Sequence, residues 1–393
     1  YKRQIHMTEP YLVEPDVGFI KEIAGLGGGD LKKCFQCATC SVACTISPDT
    51  KPFPRKEMIA ASWGLKNRLV ANHDIWLCHN CGDCTTLCPR GAKPGDVMAA
   101  IRAYAVKVYS KPAFLADWVN DPSKIPLLLA IPAVLFIVVG FLLNAVFGSA
   151  FHTTFLNFSP QDAVIAHSNF IHTTLVDVIM IPAFFFAIGV FAFGLKNFLN
   201  DMHQQAILTG KAEDKPLDMG GVIQALIRTI PTILLHKKFN ECGENKDRAT
   251  AHLLVLFSFI GLFIVTNVFF VALYVFQEHG PYSQMNPVKW LANISGVALI
   301  VGSFLLIQKR REKTDQYSAY KDWYLLGLVF LLGVTGMGTE LTRLAGWAGV
   351  SYGVYFIHLL LIFSLFAYTP FSKLAHLVYR TVAMTYAEYT YRK

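Results

Sequence analysis

Six long apolar runs, at residues 125–149, 173–198, 252–277, 288–308, 323–345 and 347–372, constrain this 393-residue chain more than any other feature. Each approaches the roughly 20 residues needed to cross a bilayer as a helix. In hydrocarbon every backbone polar group must be satisfied internally, so spanning segments are helices or closed barrels, and runs of this length specify helices. The composition agrees: 53% of residues are hydrophobic, 16% are charged and the mean hydropathy is +0.40. Flanking charge sets the expected orientation. Residues 196–248 hold eight Lys/Arg, Lys309, Arg310, Arg311, Lys313 and Lys321 follow the fourth run, and Lys373 and Arg380 follow the sixth. The 150–172 segment has no Lys or Arg, and the 278–290 segment has only Lys289. Positive residues favour the inner side. The expectation is a multi-pass protein of the cytoplasmic membrane with both termini inside, and an even number of spans closes that topology.

The first quarter has a different character. Residues 1–124 carry 16 Lys/Arg and 12 Asp/Glu, a net +4 out of +8 for the chain, with no basic run that would mark a nucleic-acid partner. No secretory leader opens the sequence, which starts at Tyr1 rather than Met, so the true start is expected to be missing or processed. Eight of nine cysteines fall between Cys34 and Cys88. Residues 107–126, with Pro112, Pro122, Pro126 and the interfacial residue Trp118, read as a linker. The expected division is a ferredoxin-type module over 1–111 and a membrane domain over 112–393. In the long inner loop, Val222–Leu235 reads as an amphipathic helix on the membrane surface, interrupted near Pro231, with docking of a partner as the alternative.

The cysteines follow one pattern twice: Cys34-x2-Cys37-x2-Cys40-x3-Cys44 and Cys78-x2-Cys81-x2-Cys84-x3-Cys88-Pro89. Three thiolates spaced by two residues wrap one face of a cubane, and the fourth reaches the other cluster in two-cluster ferredoxins. One [4Fe-4S] cluster is therefore expected on Cys34, Cys37, Cys40 and Cys88, and a second on Cys78, Cys81, Cys84 and Cys44. Zinc usually shows paired CxxC units rather than triplets with a trailing Cys, and disulfides conflict with a reducing compartment. Cys44 is followed by Thr45, so the first motif lacks the Cys-Pro ending of the second. The insert of 33 residues between motifs looks helical over Arg55–Ala71, which favours an all-helical module over the β-rich small ferredoxins. Cys242 stands apart and reads as an ordinary thiol.

Three histidines are the main haem candidates. His358 and His376 are 18 residues apart, five turns of a continuous helix, which would put them on one face about 27 Å apart. His252 opens the third run at the depth expected for His376, so these two can supply both axial imidazoles of an inner haem b. His358, deep in the sixth run, suits an outer haem, with His172 preferred over His167 as its partner. Glycines 327, 333, 336 and 338 either leave room for a macrocycle or serve close helix packing. Lys289, His279, Glu340 and Arg343 are candidates for an outer quinone pocket, although Glu340 and Arg343 at i, i+3 can also simply pair. Asp177 is a further candidate for proton transfer.

These residues carry a resemblance. CFQCATCSVAC and CHNCGDCTTLCP resemble the iron–sulfur subunit of heterodisulfide reductases, an α-helical ferredoxin. The membrane part resembles the cytochrome b subunit of respiratory nitrate reductases, whose final span carries two haem histidines 18 apart, matched by His358 and His376. That family's other ligand-bearing span has two histidines ten apart. Here His252 matches the first and Leu262 stands at the second, which removes the expected partner of His358. Pro287-Val288-Lys289 is similar to a stretch bearing a quinone-site lysine. Fusion of the two parts is similar to the membrane subunit of the quinone-interacting oxidoreductase (Qmo) complexes of sulfate reducers. That resemblance implies QmoA- and QmoB-like flavin and iron–sulfur partners, and electron exchange between menaquinol and adenylylsulfate reductase.

The fold class expected is thus all-α: an α-helical ferredoxin fused to a six-helix transmembrane cytochrome b bundle. The function expected is electron transfer between menaquinol and soluble partners through haem b and two [4Fe-4S] clusters. The alternatives are a heterodisulfide- or sulfite-reducing system, or a membrane receptor or scaffold with a zinc module.

Overall fold

The computed structural model describes residues 14–48, 52–151, 164–210, 212–236, 248–312 and 317–391. Cys242 and Lys313 lie outside them. All regular elements among the described residues are helical. The N-terminal part holds α1 (Val17–Ile23), α2 (Thr39–Val42), α3 (Arg55–Ser62), α4 (Lys66–Val70), α5 (Asp74–Leu77), α6 (Asp83–Thr86) and α7 (Pro94–Tyr109). With α5 following, the insert between the cysteine motifs is helical over Arg55–Ala71 as expected, but as two helices, α3 and α4. Gly64 separates them at φ +69, where an added Cβ would lie 2.8 Å from the Asp16 backbone nitrogen. The expected linker is also structured, since α8 (Ala113–Val119) buries Ala116 and Val119 before a short turn at Pro122–Lys124 leads into the bundle.

Among the described residues, six helices are long and apolar enough to cross a membrane. They belong to α9 (Ile125–Phe151), α11 (Thr173–Leu208), α13 (Arg248–Tyr274), α14 (Pro287–Glu312), α15 (Tyr320–Leu344) and α16 (Ala348–Tyr368). Between them lie the single turn α10 (His167–Phe170) and α12 (Met219–Leu234), and α17 (Ala375–Tyr391) ends the described chain. The helices α9, α11 and α16 pack together, and α13, α14, α15 and α16 follow one another as neighbours. Exposed aromatic and aliphatic side chains along α11, α13 and α14 face outward, as a lipid-facing surface requires.

Three sequence expectations are corrected here. First, the sixth span does not continue to His376. It ends at Tyr368, a 3-10 turn covers Thr369–Phe371, and α17 starts afresh at Ala375. Pro370 cannot donate to a helical ladder, and its carbonyl instead accepts from Ser110 Oγ at 2.6 Å. Five uninterrupted turns therefore do not relate His358 to His376. Second, α12 is not interrupted at Pro231 but runs to Leu234. It lies on α17 of the same chain, with Arg228 3.5 Å from Glu388 and Asp218 bonded to Tyr389. Third, α11 spans 36 residues, about 54 Å at 1.5 Å per residue, well beyond a hydrocarbon core of about 30 Å.

The extra length of α11 explains how the cysteine-bearing part is held. Phe198, Met202 and Ala206 of α11, with Ala375, Tyr379, Ala383 and Tyr386 of α17, join the same hydrophobic core as Phe19, Met58, Trp76 and Ile101. Trp76 stacks on Tyr379 at 5.5 Å between centroids and meets Phe198 edge-on at 5.9 Å. Tyr109 donates to Asp201 at 2.9 Å, and the Tyr317 amide donates to Asp96 at 3.2 Å. Gly194 is required at this seam, because an added Cβ would sit 2.4 Å from Tyr379 Oη and 2.9 Å from the Tyr109 carbonyl oxygen.

Candidate metal and haem centres

The two cysteine motifs fold alike. Gln36 and Ala38 in the first have positive φ (61 and 70), and Asn80 and Gly82 in the second repeat this at 54 and 98. Each loop then enters a single helical turn, α2 or α6, and the two turns pack together. Positive φ at non-glycine residues is uncommon and has to be held by the surroundings. Here it wraps each loop so that Cys40 is buried and Cys84 partly so, while Cys37 stays exposed. Backbone amides add polar support, from Asn80 to Cys78 Sγ and from Ala92 to Cys88 Sγ, each at 3.4 Å.

The eight cysteines form no disulfide and gather in two sets. Burial, followed by the neighbouring thiols Cys34, Cys37 and Cys88, pushes Cys40 up to about 11. Burial and the neighbours Cys78 and Cys81 push Cys44 up to about 12. Cys84 is raised by burial and by Cys78, Cys81, Cys44 and Cys40. The trailing cysteine of each motif therefore stands with the triplet of the other. Cys44, Cys78, Cys81 and Cys84 line a common cavity with Asn80 and Gly82. Among the described residues, no three His, Cys, Asp or Glu side chains converge as ligands of one metal ion do. Two sets of four thiols with crossed membership fit a pair of cubane clusters.

At the cysteine-bearing end of the bundle, two histidines pair and a third lies within reach of their charge. His252 Nδ1 lies 2.7 Å from His236 Nε2, with ring centroids 4.8 Å apart. His376 Nδ1 donates to the Lys373 carbonyl. Burial drives the His376 ring down to about 3, and the charges of Lys373, His252 and Arg380 act on it in the same direction. His376 is neutral as a result, the form in which imidazole binds a metal. His252 and His376 are thus brought to one locality. His236 was not singled out in the sequence, where it sits 16 residues before His252 in a polar loop. One turn beyond His376, Arg380 Nη2 approaches His79 at 2.7 Å and the Leu77 carbonyl at 3.5 Å. His79 and Leu77 flank Cys78.

His358 bonds through Nδ1 to Thr335 Oγ1 at 2.8 Å. An added Cβ at Gly336 would lie 3.1 Å from the His358 ring, whereas one at Gly333 would meet Ile300 at 2.8 Å. The first glycine makes room for the histidine, and the second permits close approach of α14 and α15. An added Cβ at Gly338 would touch Val354 at ordinary contact distance, and one at Gly327 would meet nothing within 4 Å. His172 is not brought to His358: it caps α11, accepting from the Thr174 amide at 3.3 Å, and its charged neighbours are His279 and Asp177. His167 is the histidine that reaches α16, with Ser351 Oγ at 2.9 Å and the Tyr355 ring at 4.7 Å.

Three of the four polar candidates at the opposite end converge on Glu340. Lys289 Nζ and Arg343 Nη2 each lie 2.9 Å from its carboxylate, and Gln284 donates to it. His279 is exposed and bonds to the Gln277 carbonyl at 2.9 Å instead. Asp177 accepts from Tyr274, joining α11 to α13.

The comparisons with known proteins bear on the cysteine module first. Residues 30–92 match the 4Fe-4S dicluster domain family. This module is an iron–sulfur domain. One of the subunits of the H(2):CoB-CoM heterodisulfide,ferredoxin reductase of Methanothermobacter marburgensis is 35% identical over 92 residues, 23% of this chain and 50% of the relative. The iron–sulfur subunit of the CoB-CoM heterodisulfide reductase of Methanopyrus kandleri is 32% identical over 77 residues, 20% of this chain and 40% of the relative. The chain thus spans half or less of the length of these curated relatives. Citrate utilization protein B of Escherichia coli is 24% identical over 372 residues, covering 90% of this chain and 89% of the relative. No solved structure matches the chain.

Proposed function

We propose that this chain is a membrane electron-transfer subunit linking menaquinol to soluble flavin and iron–sulfur partners on the cytoplasmic side. The observation that carries the proposal is the succession from crossed thiol sets, through the Arg380 contact with His79, to the His252 and His376 pair. Cys34, Cys37, Cys40 and Cys88 would hold one [4Fe-4S] cluster, Cys78, Cys81, Cys84 and Cys44 the other, and His252 and His376 an inner haem b. When bound, these groups supply one-electron steps that side chains cannot perform.

The chain's own residues supply position and charge. The Lys373 carbonyl and His236 hold the His376 and His252 rings through Nδ1, and such partners fix the tautomer and orientation of ligating histidines. Trp76, Tyr379 and Phe198 exclude water from the seam between the cysteine module and the bundle. His358 would serve an outer haem, with His167 better placed than His172 to share α16. Lys289, Glu340 and Arg343 would frame the quinone headgroup, with Asp177 as a proton carrier near the same surface.

The resemblance to Qmo complexes supports QmoA- and QmoB-like partners, with adenylylsulfate reductase beyond them. The similarity to heterodisulfide reductase subunits keeps a heterodisulfide-linked system as a neighbouring reading. The end-to-end similarity to Citrate utilization protein B favours a second one, in which the soluble partner serves citrate utilisation. Adding menadiol, a soluble naphthoquinol, to the chain in nanodiscs tests the shared core. The expected result is appearance of a haem b α-band, and reduction by dithionite but never by the quinol would refute it.

A further inference from the structure

Three large apolar side chains stand exposed beside the first thiol set: Phe35 at 68%, Val42 at 86% and Leu87 at 57%. Phe35 follows Cys34, Leu87 precedes Cys88, and Val42 lies two residues beyond Cys40. The segments that carry them are also linked in space. The Arg90 guanidinium sits 4.0 Å over the Phe35 ring, and α2, which carries Val42, packs on α6, which leads to Leu87. Cys37 of the same set is itself exposed. The second thiol set lies beside α17, where Arg380 meets His79, the neighbour of Cys78. Contiguous exposed apolar surface on a folded domain marks an interaction site.

The rim of this patch is basic. Lys32, Lys33, Arg55 and Arg90 are all exposed around it, and Asp30 is already paired with Lys33 at 2.6 Å and approached by Lys93 at 3.8 Å. Val42 also walls a cleft that carries the exposed Arg55 and Arg68. We infer that this face docks a soluble redox protein whose own cofactor is framed by apolar surface with an acidic rim. Opposite charge would steer the encounter, and apolar contact would bring the partner's cofactor up to the first thiol set. The inference rests on the proposal that this set holds a cluster.

The test uses the full chain in nanodiscs of zwitterionic lipid, reduced with stoichiometric dithionite and mixed with flavodoxin, an acidic one-electron acceptor, or with cytochrome c, a basic one. One electron leaves the chain, and the flavin takes one proton from solvent to become the neutral semiquinone. The wild-type rate with flavodoxin should exceed that with cytochrome c and fall by about tenfold or more at high salt. The double variant Val42→Asp, Leu87→Asp should slow flavodoxin reduction about tenfold while both [4Fe-4S] EPR signals persist. The double variant Lys32→Glu, Lys33→Glu should narrow or invert the preference between the two acceptors. Unchanged flavodoxin rates in both variants overturn the docking face. So does loss of binding to phosphatidylglycerol vesicles with flavodoxin rates intact, which would assign the patch to lipid. Wild-type protein with no [4Fe-4S] signal overturns the cluster reading, and the docking face with it.

Discussion

Replacing Arg380 by Gln removes a cation that ties α17 to the cysteine module. Arg380 Nη2 lies 2.7 Å from His79 Nε2 and 3.5 Å from the Leu77 carbonyl, the two residues flanking Cys78. Taking about 8 Å as an order-of-magnitude separation between its charge and the second thiol set, Coulomb's law applies directly. With an effective dielectric of about 20, 332/(εr) gives about 2 kcal/mol of attraction for one added electron. For a one-electron couple that corresponds to about 90 mV. Solvent screening at this part-buried site reduces it to roughly half, so the potential of the second cluster should fall by about 40–90 mV. An EPR-monitored redox titration reads each cluster separately, and the first should stay within about 20 mV of wild type. Arg380→Lys should restore most of the shift, because it keeps the charge while losing the fork geometry. A potential that is unchanged or rises in Arg380→Gln, or an equal shift in Arg380→Lys, would refute the electrostatic reasoning.

Four further outcomes follow from the same geometry. His376→Ala should abolish the inner haem, and pyridine haemochrome quantitation checks it; full haem content would remove His376 as a ligand. His236→Ala should retain that haem but loosen His252, lowering haem occupancy or affinity by about tenfold, as loss of a partner to a ligating histidine does. Gly194→Leu forces side-chain atoms into the Tyr109 backbone and Tyr379, so it should destabilise the seam by about 1–3 kcal/mol, read as faster proteolytic release of the cysteine module; wild-type resistance would contradict the packing. Glu57 is buried, bonded to Asn72 at 3.0 Å, and pushed up to about 7 by burial. A carboxyl raised in the folded state binds more protons there than in the unfolded chain between about pH 4.5 and 7, so stability falls as pH rises through that window. Glu57→Gln should therefore hold its iron–sulfur absorbance against denaturant better than wild type at pH 8 by up to roughly 3 kcal/mol, with little difference at pH 5; a variant less stable at pH 8 would reverse the sign.

The parts legible in the sequence are those governed by short-range pattern. Apolar run length located all six long helices to within a few residues at most ends, because hydrocarbon thickness dictates that length directly. Cysteine spacing pointed to an iron–sulfur module, and residues 30–92 match the 4Fe-4S dicluster domain family; the division of the thiols between two clusters is part of the proposal. Features that depend on chain direction after a break were not legible. Spacing did not show that Ser110 captures the Pro370 carbonyl or that a 3-10 turn ends α16 before α17 begins. The extension of α11 past the hydrocarbon width is polar at Asn200, Asp201 and His203, and it looked like a loop until packing against Trp76 gave it a reason to stay helical. His236, His79 and Arg380 belong to three separate segments, and no local signal joins them.

Iron and haem quantitation with a dithionite-reduced spectrum, taken on one purified sample, tests the central claim most directly. Two clusters predict about eight non-haem irons per chain, together with a haem b α-band. Zinc in place of iron, or iron without any haem band, would contradict the account.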